Sequence, residues 1–420
     1  MKLKLQFLFA FIVSLTYLQA QEVSVNTSMG VGYSDQVYYK LSSQAETVFT
    51  ADVWDVAFYR ASNFDLGVRV NDGISIQVYE VANTPEGYGT VDVTDQSAWS
   101  KLHNDDTTWN NGAFMNTSLT GPLAFGFGTY DPENNTVVGD IVFVLKYPDG
   151  SYKKFFIETY ASGYTFKFSS WDGSAWSADT NVTIPNSNNQ NNIFNYYSLQ
   201  SQSEVIAEPA ASDWDFIFRK YDTFLNQPPP GQYYNVAGVL HNPNIEVAEN
   251  DEPNGIPANP DLTYSDDINT IGYDWKAFGT SGFVVNSDRA FYIKYTDNTI
   301  YRLTFTAFSG SSSGDLSFVF NDVTTSLSIE GVSENVSFGI YPNPSADKQI
   351  NLIYDVNTLN TTNNNVAIYS TTGQMVFQSE LKSNSGFYNK SLDLSSLSGG
   401  VYILKFTSGE FTTTKKIILN

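Results

Sequence analysis

The chain contains no cysteine. That excludes disulfides, thiolate metal sites, a cysteine nucleophile and a lipid-anchored N-terminal cysteine. It has two histidines, His103 and His241, too few for histidine-based zinc chemistry. Basic residues are scarce: 22 Lys and Arg stand against 44 Asp and Glu, a net charge of −22. Phosphates are repelled by such a surface, which argues against nucleic acid and against an anionic membrane as partner. Charged residues are only 16% of the total, so Asn, Ser, Thr and Gln must supply much of the polar surface. After the first twenty residues no run is apolar enough to cross a membrane as a helix. Long apolar stripes of 3.6-residue period are also missing, so helices should be few and short. There is no His-Glu-x-x-His and no phosphate-cradling glycine loop, and no enzyme is expected.

Apolar residues make up 41% of the 420 residues and aromatics 15%. At roughly 150 residues per domain, this predicts two or three domains with their own cores. The first twenty residues are a secretory signal by pattern. Lys2 and Lys4 precede an apolar run from Leu5 to Leu18, and Ala20 is the small residue before the expected cut at Gln21. The mature protein is expected outside the cytoplasm, without a transmembrane segment.

The remainder alternates as strands do. In "GDIVFVLKYPDG", Ile141, Phe143, Leu145 and Tyr147 share one face, and Pro148-Asp149-Gly150 supplies a turn. "DRAFYIKYTDN" repeats the design with Phe291, Ile293 and Tyr295, so that Tyr147 corresponds to Tyr295. The opening of this unit is repeated as well. "YYKLSSQAETVFTADVWDVAFYR" from Tyr38 returns as "YYSLQSQSEVIAEPAASDWDFIFRK" from Tyr196. The chain therefore carries a duplicated unit: a Tyr-Tyr strand, a Trp-Asp-x-x-Phe strand, a variable middle and a closing Lys-Tyr hairpin. The expected division is a signal at 1–20, a first repeat at 21–184, an Asn-rich linker at 185–194 and a second repeat at 195–327. A small β-sandwich follows at 328–420. The fold class is all-β.

Two resemblances follow from these residues. The last region resembles the C-terminal type A sorting domain of the type IX secretion system of Bacteroidetes. The matching elements are Tyr341-Pro342-Asn343-Pro344, "YSTTGQ" from Tyr369, "LSGGVYIL" from Leu397, and Lys415-Lys416 near the end. This implies that the secretion machinery is a partner, and that the protein passes through the periplasm to the outer surface or the medium. The duplicated unit resembles the HmuY family of secreted haem-binding proteins, through "WDVAFYR", "WDFIFRK" and the two closing hairpins. That resemblance implies two tandem β-rich domains and haem as a candidate ligand. Two features depart from the family pattern. The histidines lie at non-equivalent places in the two middles, and no cysteine is present to carry a lipid.

Within these readings, Trp54 and Phe58 are core candidates, and Asp55 and Asp215 are expected to satisfy nearby backbone. If haem binds, it is expected in the first repeat. "KLHNDDTTWNNGAFM" holds His103 as leading axial ligand, Met115 as a weaker one, and Trp109 and Phe114 to cover the ring. His241, in "VLHNPN", is the alternative. Oxygen-rich loops such as "ENDEPNGIPANPD" suit calcium in composition but follow no ligand spacing. A carbohydrate or adhesin-type ligand, such as a surface polysaccharide, is the rival reading. It rests on Trp99, Trp109, Trp171 and Trp176, all in polar loop-like contexts. A carboxylate-based hydrolase ranks last.

Overall fold

The computed structural model describes residues 22–60, 65–94, 96–226, 229–257, 260–280, 282–324, 336–356, 364–382, 384, 386–408 and 411–420. The signal segment and its Ala20–Gln21 junction lie outside the described residues. The chain forms two compact units, one ending at Thr324 and one beginning at Thr325. Both are built from antiparallel strands, punctuated in the first unit by 3-10 turns of three to six residues.

The first unit has four larger sheets around three large cores, together with a two-stranded hairpin and a small fourth cluster of Tyr88, Val142 and Phe156. Its outer layers each belong mainly to one repeat. One is a nine-stranded sheet built on Gln77–Ala82, Val142–Lys146, Tyr152–Tyr160 and Gly163–Ser170. The other is five-stranded, and Val23–Ser28 of the first repeat forms its edge, paired with Asp315–Asp322. The two inner sheets are mixed. Asp35–Lys40, with Tyr38 and Tyr39, pairs with Phe216–Leu225 of the second repeat. Reciprocally, Phe194–Ser198, with Tyr196 and Tyr197, pairs with Val56–Arg60 of the first. The register is the same in both: Tyr39 faces Phe216 and Tyr197 faces Val56, each the residue after a Trp-Asp. The closing hairpins of each repeat form as the alternation indicates. The opening strand of each repeat, however, completes the sheet of the other.

Strand alternation explains why adjacent tyrosines suit this exchange. Tyr39 joins the core of the second sandwich with Phe216, Phe218 and Phe318, and Tyr197 joins the core of the first with Phe58, Phe166 and Leu199. Their neighbours Tyr38 and Tyr196 face the opposite way, into a middle core with Trp54, Trp109, Trp214, Phe194 and Ile217. There Trp214 meets Tyr38 edge-on at 5.1 Å, and Trp54 meets Tyr196 in the same way at 5.1 Å.

Each junction is fixed by a buried carboxylate, one in each repeat. The Asp55 amide donates to the Tyr197 carbonyl at 3.0 Å, and the Asp215 amide to the Tyr39 carbonyl at 2.8 Å. The Asp55 carboxylate accepts the Leu199 and Gln200 amides at 2.5 and 3.1 Å. Asp215 accepts the Leu41 amide at 2.7 Å and the Lys40 ammonium at 2.7 Å, together with the Tyr295 hydroxyl. Asn71 and Asn242 repeat the symmetry, donating to the Trp54 and Trp214 carbonyls at 2.9 and 3.1 Å. The Asn-rich segment, expected as a linker too polar to pack, is an ordered turn. Its amides bond instead of burying apolar surface: Asn188 and Asn189 donate to Glu204, and Asn192 to the Glu208 carbonyl. Arg60 of the first repeat donates to the Asn186 and Asn189 carbonyls.

The second unit is a small sandwich. A three-stranded sheet, Val336–Tyr341, Gln349–Val356 and Gly386–Asp393, lies opposite a four-stranded one ending in Phe411–Leu419. Leu352, Tyr354, Ile368, Leu404, Phe406 and Ile417 fill its core. The Tyr341-Pro342-Asn343-Pro344 turn clasps the terminal strand. The Asn343 amide donates to the Lys416 carbonyl at 2.8 Å, and its oxygen accepts the Ile418 amide at 2.9 Å. Lys415 lies over the Phe338 ring at 4.8 Å.

Two predictions follow from the mixed sheets. Trp54 and Trp214 are each 2% exposed, and truncation of such a ring costs about 3–5 kcal/mol. In calorimetry, Trp54→Ala and Trp214→Ala should lower one and the same transition of residues 22–324. Two transitions, each moved by only one substitution, would contradict the exchange. The second concerns Glu208, 1% exposed beside Tyr196, where it accepts the Phe194 amide at 2.7 Å. Burial pushes its carboxyl up to about 8. The folded chain then holds a proton that the unfolded chain has released. This contribution to stability therefore falls as pH rises from about 4.5 to about 8, by about 1.4 kcal/mol per unit. Denaturant titrations across that range should show this slope reduced in Glu208→Gln, and an unchanged slope would refute it.

Candidate functional site

The two variable middles meet each other. The Ile268 amide donates to the Thr107 carbonyl at 2.9 Å, and Asn269 donates to Asp106 at 3.0 Å. Trp109 donates through its indole N–H to the His241 carbonyl at 2.9 Å. Of the residues proposed for haem, Trp109, Phe114 and His241 are buried and Met115 and His103 partly buried, with the His103 side chain 12% exposed. Its ring stacks on Tyr233 with centroids 3.5 Å apart and planes 1° from parallel. Its Nδ1 faces the Asp222 carboxylate at 3.1 Å. Burial pushes Asp222 up, but hydrogen bonds from His103 and Asn235 outweigh that and hold it below its ordinary range.

The other four are placed differently. Trp109 is buried, edge-on to Trp214 and Phe194, with the Arg69 guanidinium over its face at 5.3 Å. Phe114 is fully buried against Phe143 and Phe155, and Met115 packs partly buried on the same core. His241 is fully buried, its Nδ1 against the Asn242 carbonyl at 2.9 Å, and burial lowers its pKa. The rings expected to cover a porphyrin therefore fill protein cores. The polar "HNDDTTWNNG" context hid this, because its polar groups are used internally. Asp105 accepts the Thr107 amide at 2.7 Å and the Asn111 side chain at 2.9 Å, which folds the loop over Trp109. Among the described residues, no group of three or more His, Asp or Glu is arranged to hold a metal ion. The spelling Gly310-Ser-Ser-Ser-Gly314 matches a nucleophile-elbow pattern, but it forms a 3-10 turn between two strands rather than a strand-to-helix elbow.

Three of the four candidate sugar-stacking tryptophans share the outer face of the nine-stranded sheet. Trp99 lies 5.7 Å from the Tyr79 ring and 6.3 Å from the Tyr152 ring. The Trp171 amide donates to the Tyr152 carbonyl at 3.0 Å, and Trp171 meets Trp176 at 5.2 Å. Trp99, Trp171, Trp176, Tyr79 and Tyr152 are all half-buried. Polar groups tie the row together. Gln96 donates to the Tyr152 hydroxyl at 2.8 Å and accepts from Lys146 at 3.2 Å. Trp176 donates to the Val91 carbonyl at 3.0 Å, and the Lys154 ammonium sits over its ring at 5.3 Å.

A separate cleft of about 550 Å³ opens in the second repeat, beside the small hairpin of Lys276–Gly279 and Gly282–Val285. Lys276 donates to the Ala237 and Tyr273 carbonyls at 2.6 and 3.1 Å, under the faces of Trp275 and Phe308. Burial pushes its ammonium down to about 7. Nothing in the alternation of "DWKAFGTSGFVV" distinguished this lysine from a solvated one.

Residues 339–420 match the family described as the secretion system C-terminal sorting domain. No curated protein matches the chain. The family assignment agrees with the clasp made by Asn343 and with the strand that ends the second unit. The protein is thus exported through the type IX secretion system and is secreted or attached to the cell surface. Removal of residues 325–420 should leave the protein in the periplasm, measured by fractionation of the native host. Normal amounts at the surface or in the medium would contradict the assignment.

Proposed function

We propose that this exported protein is a non-enzymatic carbohydrate-binding protein of the cell surface or medium, acting on a surface or environmental polysaccharide in the manner of an adhesin. The observation that carries the reading is the group of half-buried rings Trp99, Tyr79, Tyr152, Trp171 and Trp176 on the outer face of the nine-stranded sheet, beside the part covered by Tyr88 and Val91. Sugars present flat C–H faces, which stack on partly exposed indoles and phenols, while their hydroxyls bond to groups such as Gln96 and Lys146. Rings spread along a sheet face suit an extended polymer better than a small molecule. Retention of the intact protein on a panel of soluble and insoluble polysaccharides tests this. At least one polysaccharide should be retained. Trp99→Ala and Trp171→Ala should each weaken that binding at least ten-fold, about 1.4 kcal/mol. Failure to retain any polysaccharide, or retention unaffected by both substitutions, would sink the reading.

Haem, which the HmuY resemblance implies, keeps one supporting observation. A ligating imidazole is commonly oriented by a carboxylate on its other nitrogen, and Asp222 stands in that position to His103. Trp109, Phe114 and His241 do not fit a porphyrin pocket as they stand, since all three are buried within the protein. A haem titration read in the Soret region separates the readings. A saturable spectral change that is lost in His103→Ala and retained in Met115→Ala and His241→Ala would favour haem over carbohydrate.

A further inference from the structure

The cleft in the second repeat shares no residue with the aromatic sheet face. Its apolar lining includes Tyr33, Val236, Tyr273, Phe278 and Phe283. The hairpin at its rim carries large apolar side chains in the open: Phe278 is 78% exposed and Val284 62%. Such exposure, next to a concave apolar surface, marks a binding site rather than a packing accident. Two lysines, Lys220 and Lys276, also line the cleft.

The charge around it is unusual for this chain. Acidic residues outnumber basic ones 44 to 22, yet the cleft lining holds two lysines against one aspartate, Asp274, and the carboxylates nearest the lysines each have another basic partner. Asp72 is held by Arg219 at 3.0 Å, Asp222 by His103 at 3.1 Å and Asp274 by Arg289 at 2.9 Å. Lys276 donates to two carbonyls, and only its protonated form, which a bound anion would favour, carries one further N–H. Lys220 is half-buried; burial lowers its pKa against the opposing pull of the Asp222 and Asp72 charges, and no direct ion pair to it is formed among the described residues. A buried or half-buried cation with no carboxylate in direct contact is stabilised by an anion that joins it.

We propose that this cleft binds a small amphiphile with an apolar body and a carboxylate head, of the class of medium-chain fatty acids. The head meets Lys220 and the further N–H of Lys276, and the chain lies against Tyr33, Phe278 and Phe283. A neutral amphiphile of equal length fills the same apolar surface but leaves the lysines unpaired, so charge decides the selectivity.

The test is calorimetric titration of the intact protein with decanoate and with decanol. Decanoate should bind saturably and at least ten-fold more tightly than decanol. Lys220→Met should weaken decanoate at least ten-fold and leave decanol unchanged. Phe278→Ser, at an exposed position that does not threaten folding, should weaken decanoate as well. Trp171→Ala, on the sugar-binding face, should leave decanoate binding unaltered. Absence of saturable decanoate binding, equal affinity for decanol, or decanoate binding indifferent to both cleft substitutions would overturn the proposal. None of these results bears on the polysaccharide reading.

Discussion

Two buried carboxylates hold the repeats together. Asp55 and Asp215 each sit just before a strand of their own repeat and accept backbone amides from just after the Tyr-Tyr strand of the other. The register that follows places Tyr39 on Phe216 and Tyr197 on Val56. From that register come the two mixed sheets, and from the alternation within them the middle core of Tyr38, Tyr196, Trp54 and Trp214. A buried carboxylate with no partner is expensive, and one bonded to amides fixes geometry. Substituting either aspartate would both lose hydrogen bonds and release a strand that belongs to the opposite repeat.

The exchange also governs where the variable segments lie. With the inner sheets interleaved, the middle of the first repeat is drawn against that of the second, as Thr107 with Ile268 and His103 with Tyr233 show. The duplicated frame is therefore conserved within the chain in its junctions and divergent where surfaces are made. The first repeat devotes its outer sheet to half-exposed aromatics. The second opens a cleft beside the hairpin of Lys276–Gly279 and Gly282–Val285. The sorting unit needs none of this, since Asn343 closes its own sandwich by gripping the last strand.

Much of this was legible in residue order. Alternation disclosed the strands around Phe143 and Phe291, the repeated Trp-Asp disclosed the duplication, and the Tyr-Pro-Asn-Pro turn disclosed the sorting domain. Partnership was not legible, because a period of two says which way a side chain faces and never which strand lies beside it. For that reason Tyr38 and Tyr196 read as the start of separate domains rather than as strands exchanged between them. The site suffered from a different ambiguity. Trp109 and His241 sit among Asn, Asp and Pro, a context that reads as an exposed loop. Asn and Asp side chains that bond their own loop produce the same composition while burying what lies beneath. Trp99, Trp171 and Trp176 have similar surroundings and do reach the surface, so composition alone could not sort the four.

The central claim is that residues 22–324 fold as one interwoven unit. It is tested most directly by cutting the chain between the repeats. A protease site placed within the Asn-rich turn at 187–191 would allow the folded protein to be nicked there. The two halves should remain together through gel filtration under native conditions and separate only in denaturant, because each holds a strand of the other. Two halves that elute apart, each folded by circular dichroism, would contradict the account.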